Sequence, residues 1–128
     1  MVATGRYGVA RLKAQGSARS GAEHWWRQRL TALANIPLVI WFVVSAVSLS
    51  GASYEEVRAW LGGLFNTTMM LLLIVSVFAH ARMGIQVVIE DYVHARAAKL
   101  AALVALDLAT AALATACIVA VLTVSLRS

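Results

Sequence analysis

The sequence has little charge and almost no cysteine. Only 13% of its 128 residues are charged, about half the share found in soluble domains. Cys117 is the single cysteine and lies in an apolar run, so the chain can form neither an internal disulfide nor a cysteine-based metal cluster. The residues that replace charge are apolar: 61% of the chain is hydrophobic, mostly in long runs. This composition indicates a membrane protein.

A secretory signal pattern is also missing from the start of the sequence. The first apolar run begins only at about residue 30, and no cleavage site of small residues follows it. The net charge of +5 would suggest nucleic acid as the partner of a soluble protein. Here the basic residues flank apolar runs, so we interpret them as topology signals and expect no nucleic-acid binding.

Three apolar runs predict an all-α membrane protein with three transmembrane helices. The runs cover about residues 30–50, 64–89 and 98–126, and each is long enough to cross a hydrocarbon core of about 30 Å. Residues 1–28 form a basic arm with frequent Gly and Ser, for which we expect little structure of its own. Residues 29–128 then form a single three-helix domain.

Aromatic residues flank the first run on both sides. Trp25 and Trp26 lie beside arginines just before it, which is typical of an anchor at the membrane interface. Pro37 is expected in the first turns of the helix, where few backbone donors are lost. After the run, one or two amphipathic turns are expected to hold Tyr54 and Trp60 at the opposite interface.

The basic residues predict the orientation of the spans. Arg96 and Lys99 separate the second and third runs, whereas the other side has only Arg58 and Arg127. The residues before the first run add most of the remaining positive charge: Arg6, Arg11, Lys13, Arg19, Arg27 and Arg29. By the positive-inside rule, the N-terminus is cytoplasmic and the C-terminus is periplasmic.

The second run carries polar groups in its last part, "FAHARMGIQVVIEDYVH". An ionisable group in hydrocarbon costs about 3 kcal/mol or more unless it is paired or bound. His80 and Gly84 share a helix face one turn apart, and the absent side chain of Gly84 leaves a slot beside the imidazole. Three interpretations stay open: a hydrogen bond to a neighbouring helix with Gly84 as a packing residue, haem ligation, or a proton relay.

A low-spin b-type haem needs two axial ligands, and the spacing offers only one here. His94 lies about 21 Å from His80 along a continuous helix, at the membrane surface. His24 belongs to the N-terminal arm, and Met83 lies on the same helix turn as His80. A haem at His80 would therefore take its second ligand from another chain.

Three further polar residues have open roles. Arg82 can form a salt bridge with a haem propionate, pair with Asp107 in the third run, or extend its charge to the surface. Tyr92, about 18 Å along the helix from His80, can donate a hydrogen bond to a carbonyl. Asp91 can orient that tyrosine, pair with a base or relay protons. The simpler alternative is an interfacial tyrosine beside a solvated acid.

The segment "HARMGIQVVIEDY" resembles the His-(x)3-Gly-(x)6-Asp-Tyr segment of the D-type membrane anchor of succinate dehydrogenase, or respiratory complex II. The segment "SGAEHWWRQRLTALANIPL" resembles the N-terminal part of the alphaproteobacterial form. With three spans and a similar length, the resemblance covers nearly the whole chain. Residue types, spacing and position in the second span agree together, which makes the central motif fairly specific.

The resemblance implies a set of ligands and partners. His80 would be one axial ligand of a haem b shared with a C-type cytochrome b anchor subunit. Tyr92 would bond a carbonyl of ubiquinone, with Asp91 as its acidic neighbour. The other partners would be an iron–sulfur subunit, a flavoprotein subunit and the lipid of the bacterial inner membrane. This chain would not be catalytic alone, because succinate is oxidised on the flavoprotein.

Two other functions remain open from the residues. A small transporter or channel subunit could use His80, Arg82 and Asp107 as a polar path. A purely structural membrane adaptor would use none of them chemically. The anchor hypothesis differs from both by predicting a bound haem.

Overall fold

The computed structural model describes residues 4–127, with side chains described from Ser20 onward. Its four helices are α1 (Thr4–Ser48), α2 (Tyr54–Leu61), α3 (Leu64–Tyr92) and α4 (Arg96–Leu126). No strand occurs in this part of the chain. The segment Ser20–Ser48 of α1, all of α3 and all of α4 are long and apolar enough to cross a membrane. The prediction of an all-α protein with three spans is confirmed.

Helix α1 is much longer than its apolar run. Its backbone is helical from Thr4, so the expectation of little structure in residues 1–28 is wrong from that residue on. Extending an existing helix adds one hydrogen bond per residue without a new nucleus, and the arm's alanines, arginines and lysine are good helix formers. Pro37 consequently lies in the helix interior rather than in its first turns, where it cannot donate to the Leu33 carbonyl.

Helix α3 is the centre of a row of three spans. It packs against α1 and against α4, while within the described residues the backbones of α1 and α4 do not come close to each other. Successive spans run antiparallel, so the start of the α1 span, the end of α3 and the start of α4 lie at one end of the row. We call this end the N-terminal side. The row leaves two sides of α3 without a helix from this chain.

The interior of the row is small. Among the residues whose side chains are described, its buried apolar side chains are Leu38 of α1 and Leu73 and Met83 of α3. Large apolar residues elsewhere are exposed; Val47, for example, is 70% exposed. In a bilayer such side chains face acyl chains rather than water, so the helices associate through close packing and polar contacts instead of a hydrophobic core.

Helix α2 covers the end of the row opposite the N-terminal side. A capping box begins it: Glu56 N–H donates to Ser53 Oγ over 3.3 Å, and Ser53 N–H donates to Glu56 Oε2 over 2.7 Å. Trp60 stacks on Trp41 of α1 with 5.7 Å between ring centroids. The predicted amphipathic turns therefore exist as a short helix, reached through a turn at Gly51 whose φ of 84° suits glycine.

Candidate functional site

His80 faces helix α1. The imidazole is half-buried, and its Nδ1 lies 3.2 Å from the hydroxyl oxygen of Thr31. Among the described residues, no group forms a hydrogen bond with Nε2 of this ring. The structure thus contains the predicted bond to a neighbouring helix, but that bond uses only one ring nitrogen and leaves the other available to a ligand.

Thr31, the hydrogen-bond partner of His80, was not predicted from the sequence as a site residue. Its hydroxyl also lies 3.1 Å from the Arg27 carbonyl and 3.0 Å from the Gln28 carbonyl. In addition, Ser76 Oγ donates to the backbone carbonyl of Thr31 over 3.5 Å. A sequence signal does exist, because Thr31 lies two turns from the buried Leu38 and so shares its helix face. Its pairing with His80 becomes visible only once α1 and α3 are in register.

Gly84 leaves open space one turn from His80. A Cβ built on this glycine would meet no atom within 4 Å outside its own backbone surroundings. Gly84 therefore does not serve close packing against α1 or α4 within this chain. A flat group bound through His80 Nε2 would find no obstruction at this position. The residues present therefore fit a haem, the ligand suggested by the sequence.

The position of His80 along the row can be measured from the tryptophan pair Trp25 and Trp26. Thr31, which faces His80, lies six residues from Trp25, or about 9 Å along α1. The imidazole is therefore about 9 Å inside the level of the tryptophans. The distance of about 18 Å between His80 and Tyr92 along α3 then places Tyr92 about 9 Å beyond that level. The last turns of α3 extend past the tryptophans on the N-terminal side.

Tyr92 is the last residue of α3 and is 78% exposed. Asp91 is also exposed, but adjacent helix positions point about 100° apart, and no hydrogen bond joins the two side chains in the described structure. Other groups secure this helix end: His94 Nδ1 lies 3.1 Å from the Tyr92 carbonyl, and Lys99 Nζ donates to the Glu90 carbonyl over 3.0 Å. Both bonds satisfy carbonyls that a helix end leaves without partners.

Arg82 pairs with Asp107 of α4. Its Nη2 and Nε lie 2.6 and 2.7 Å from Oδ1 of that carboxylate. Nη1 donates to Gln86 over 3.2 Å, and Gln86 donates to Glu90 over 2.7 Å. Of the three interpretations of Arg82, the structure contains the ion pair. Arg82 also lies about 160° around α3 from His80, so α3 has two separate polar flanks.

An open groove runs between α1 and α3 beside Thr31. Its polar part, about 430 Å³, has two arginines; its lining is Arg27, Leu30, Thr31, Ala79, Arg82 and Met83. An adjoining apolar part of about 600 Å³ shares Leu30, Thr31 and Ala79. Neither part includes Tyr92, so the structure keeps the tyrosine end and the His80 level as separate places.

Comparison with known proteins gives a consistent result. The sequence profile described as "Succinate dehydrogenase/Fumarate reductase transmembrane subunit" matches residues 9–124. The succinate dehydrogenase membrane anchor subunit of Reclinomonas americana is 35% identical over 79 residues, which are 59% of this chain and 66% of that protein. The hydrophobic membrane anchor subunit of Rickettsia conorii is 31% identical over 86 residues, covering 66% of this chain and 68% of its own length.

A further relative comes from Paracoccus denitrificans. Its succinate dehydrogenase hydrophobic membrane anchor subunit is 29% identical over 89 residues, which are 68% of this chain and 69% of that protein. The chain thus aligns with about two thirds of the length of these relatives. No solved structure matches it significantly. With a family match across nearly all of the sequence and three apolar spans, the chain belongs to the family of succinate dehydrogenase/fumarate reductase transmembrane subunits.

Proposed function

We propose that this chain anchors a succinate:quinone oxidoreductase in the bacterial inner membrane, with its N-terminus in the cytoplasm. It would hold the flavoprotein and iron–sulfur subunits at the N-terminal side, where Tyr92 extends beyond the level of the tryptophans. Family membership supports this function over a transporter. The ion pair supports it too, because Arg82 and Asp107 neutralise each other instead of lining a polar path.

His80 is the residue through which the chain would bind haem b. The observation that carries this assignment is the arrangement of the ring: Nδ1 is engaged by Thr31, Nε2 has no hydrogen-bond partner among the described residues, and Gly84 leaves open space one helix turn away. A bound haem would supply a one-electron centre within the membrane. The C-type anchor subunit would supply the other residue that holds this haem, on a side of α3 that this chain leaves uncovered.

Tyr92 and Asp91 would form this chain's part of the ubiquinone site. The phenol hydroxyl can donate a hydrogen bond to a quinone carbonyl and stabilise the negative charge that develops there on reduction. Its exposure at the end of α3 leaves it free to face a ligand held between subunits. Asp91 would act from a neighbouring helix position, as a proton relay or as a partner of a basic residue.

Arg82 would supply positive charge for a haem propionate. Arg27 lines the same groove as Arg82, so two arginines border one open space. Asp107 already holds Arg82, and a propionate would have to share the guanidinium with that carboxylate. The helical offset from His80 makes this the least direct of the proposed contacts.

Replacement of His80 tests the proposal. In complex purified from membranes, we expect His80→Ala to abolish the b-type band of the reduced-minus-oxidised absorption spectrum. His94→Ala is the matched control, because that imidazole lies on the same segment and its one hydrogen bond among the described residues joins Nδ1 to a helix-end carbonyl. Its spectrum should equal that of the wild type. A band of unchanged size in His80→Ala would remove the haem assignment.

A further inference from the structure

We propose that Thr31 is a positioning residue for His80: its hydroxyl accepts the Nδ1 proton of the imidazole and thereby leaves Nε2 unprotonated toward the iron. This inference rests on the proposed haem function and adds to it a residue on another helix. Thr31 lies on α1 and His80 on α3, so the contact also depends on the register of the two helices.

The single proton of the Thr31 hydroxyl determines which group donates in the hydrogen bond with His80. Thr31 Oγ1 has three neighbours within hydrogen-bonding distance, at 3.0, 3.1 and 3.2 Å. Two of them are backbone carbonyls, which can only accept, and the hydroxyl has a single proton. When that proton goes to a carbonyl, as is common for threonine in helices, the oxygen can only accept from His80, so Nδ1 carries the ring proton.

The opposite polarity would disable the ligand. If the hydroxyl donated to Nδ1, the neutral ring would carry its proton on Nε2 and have no lone pair for iron. Ligand histidines commonly donate their second N–H to a fixed acceptor, which sets the tautomer and the ring orientation and raises ligand basicity. The Thr31 hydroxyl, 3.2 Å from His80 Nδ1, is placed to act as such an acceptor.

Two features hold Thr31 in place as a hydrogen-bond acceptor. Its backbone carbonyl receives the hydroxyl of Ser76, one turn from His80 on α3, so the residue is held to the facing helix at two atoms. Its side chain is half-buried, which limits competition from water. Donation to a carbonyl also polarises the hydroxyl and strengthens it as an acceptor.

The consequence for iron has a definite sign. An acceptor on Nδ1 adds electron density to the imidazole and favours the oxidised iron. Without the hydroxyl, we expect the reduced haem to become more stable relative to the oxidised haem. The reduction potential of the haem should therefore rise. We expect the ratio of reduced to oxidised haem at fixed ambient potential to increase about tenfold in Thr31→Val, which corresponds to about 59 mV for a one-electron couple.

Potentiometric titration of the b-type band in purified complex tests this. Thr31→Val removes the hydroxyl with little change of shape, whereas Thr31→Ser keeps a hydroxyl at this position. Thr123→Val is a control in which a hydroxyl that bonds its own helix, α4, is lost. Support would be a raised potential and altered low-spin electron paramagnetic resonance in Thr31→Val alone. Support would also come from haem loss in Thr31→Val with full retention in Thr31→Ser.

The remaining outcomes separate this inference from the proposed function. A normal potential and resonance in haem-loaded Thr31→Val would overturn the role of Thr31, while loss of the band in His80→Ala would still uphold the haem site. Equal haem loss in Thr31→Val and Thr31→Ser would also overturn it, because the hydroxyl would then be irrelevant. A band that survives His80→Ala would remove both claims.

Discussion

Tyr92 shows how one hydroxyl can be tested apart from the ring that carries it. Its side chain is largely exposed at the end of α3, and no hydrogen bond to its hydroxyl occurs among the described residues. The aromatic ring can remain at the interface in a variant that lacks the donor. A change of function in that variant would therefore come from the lost hydrogen bond and not from altered packing.

We expect Tyr92→Phe to lower succinate-driven quinone reduction by up to about tenfold, since a hydrogen bond of this kind contributes about 0.5–1.5 kcal/mol. Succinate oxidation with an artificial dye should be largely retained, because that reaction does not need the quinone site. Tyr54→Phe is the matched control, with an exposed tyrosine at the opposite end of the row. An equal decline of both activities in Tyr92→Phe would place the defect in assembly.

The sequence predicted some of these residues and not others, for a physical reason. His80 and Gly84 belong to one helix turn, so their spacing alone puts them side by side. Thr31 lies 49 positions from His80 in the chain, and nothing local relates the two. Its role depends on how far α1 and α3 slide past each other, which is set by packing between the helices.

Among the elements, α2 depends on its first turn for stability. An eight-residue helix is too short to be stable alone in water. Its capping box and the stack of Trp60 on Trp41 stabilise it in this molecule. The hydrogen bond from the backbone N–H of Ser53, together with its hydroxyl, lowers the pKa of Glu56 below its usual value of 4.5.

This lowered pKa predicts a pH dependence for α2. Because the folded pKa lies below the unfolded one, the stabilisation is fully present above about pH 4.5 and is lost as the pH falls through the folded pKa. Hydrogen exchange of the α2 amides, corrected for the intrinsic rate, should show protection declining in that acid range. Glu56→Gln keeps a capping side chain that does not titrate, so its protection should stay level. Parallel declines of protection in the wild type and in Glu56→Gln would show that Glu56 does not cause the pH dependence.

The ends of the elements were harder to predict than their existence. The three apolar runs gave the spans because about 20 apolar residues fit a bilayer. The helical start of α1 at Thr4 was missed, since frequent Gly and Ser argue against a helix when the segment is considered alone. Attached to a helix that the membrane already stabilises, the same residues need no nucleation.

For the whole molecule, the row arrangement leaves the Arg82–Asp107 pair near the surface of the protein. The two side chains are 40% and 53% exposed in this chain. This ion pair is one of two polar contacts described between side chains of α3 and α4, the other being the pair of hydroxyls of Thr67 and Ser125, 2.8 Å apart. An unpaired charge at such a depth costs about 3 kcal/mol, which makes the pair more important for assembly than a similar pair in water.

We expect Asp107→Asn and Arg82→Gln each to reduce the amount of assembled complex in membranes, because each leaves one charge unpaired in the hydrocarbon region. The double variant Arg82→Gln/Asp107→Asn should recover part of the loss, since neither charge remains. Arg58→Gln is the control: Arg58 pairs over 3.5 Å with the exposed Glu55 on α2, and such a surface pair contributes only about 0–1 kcal/mol. Quantification of assembled complex by native electrophoresis measures all four proteins. A double variant no better than the worse single one would show that the two charges act independently, and that α3 and α4 are joined by other contacts.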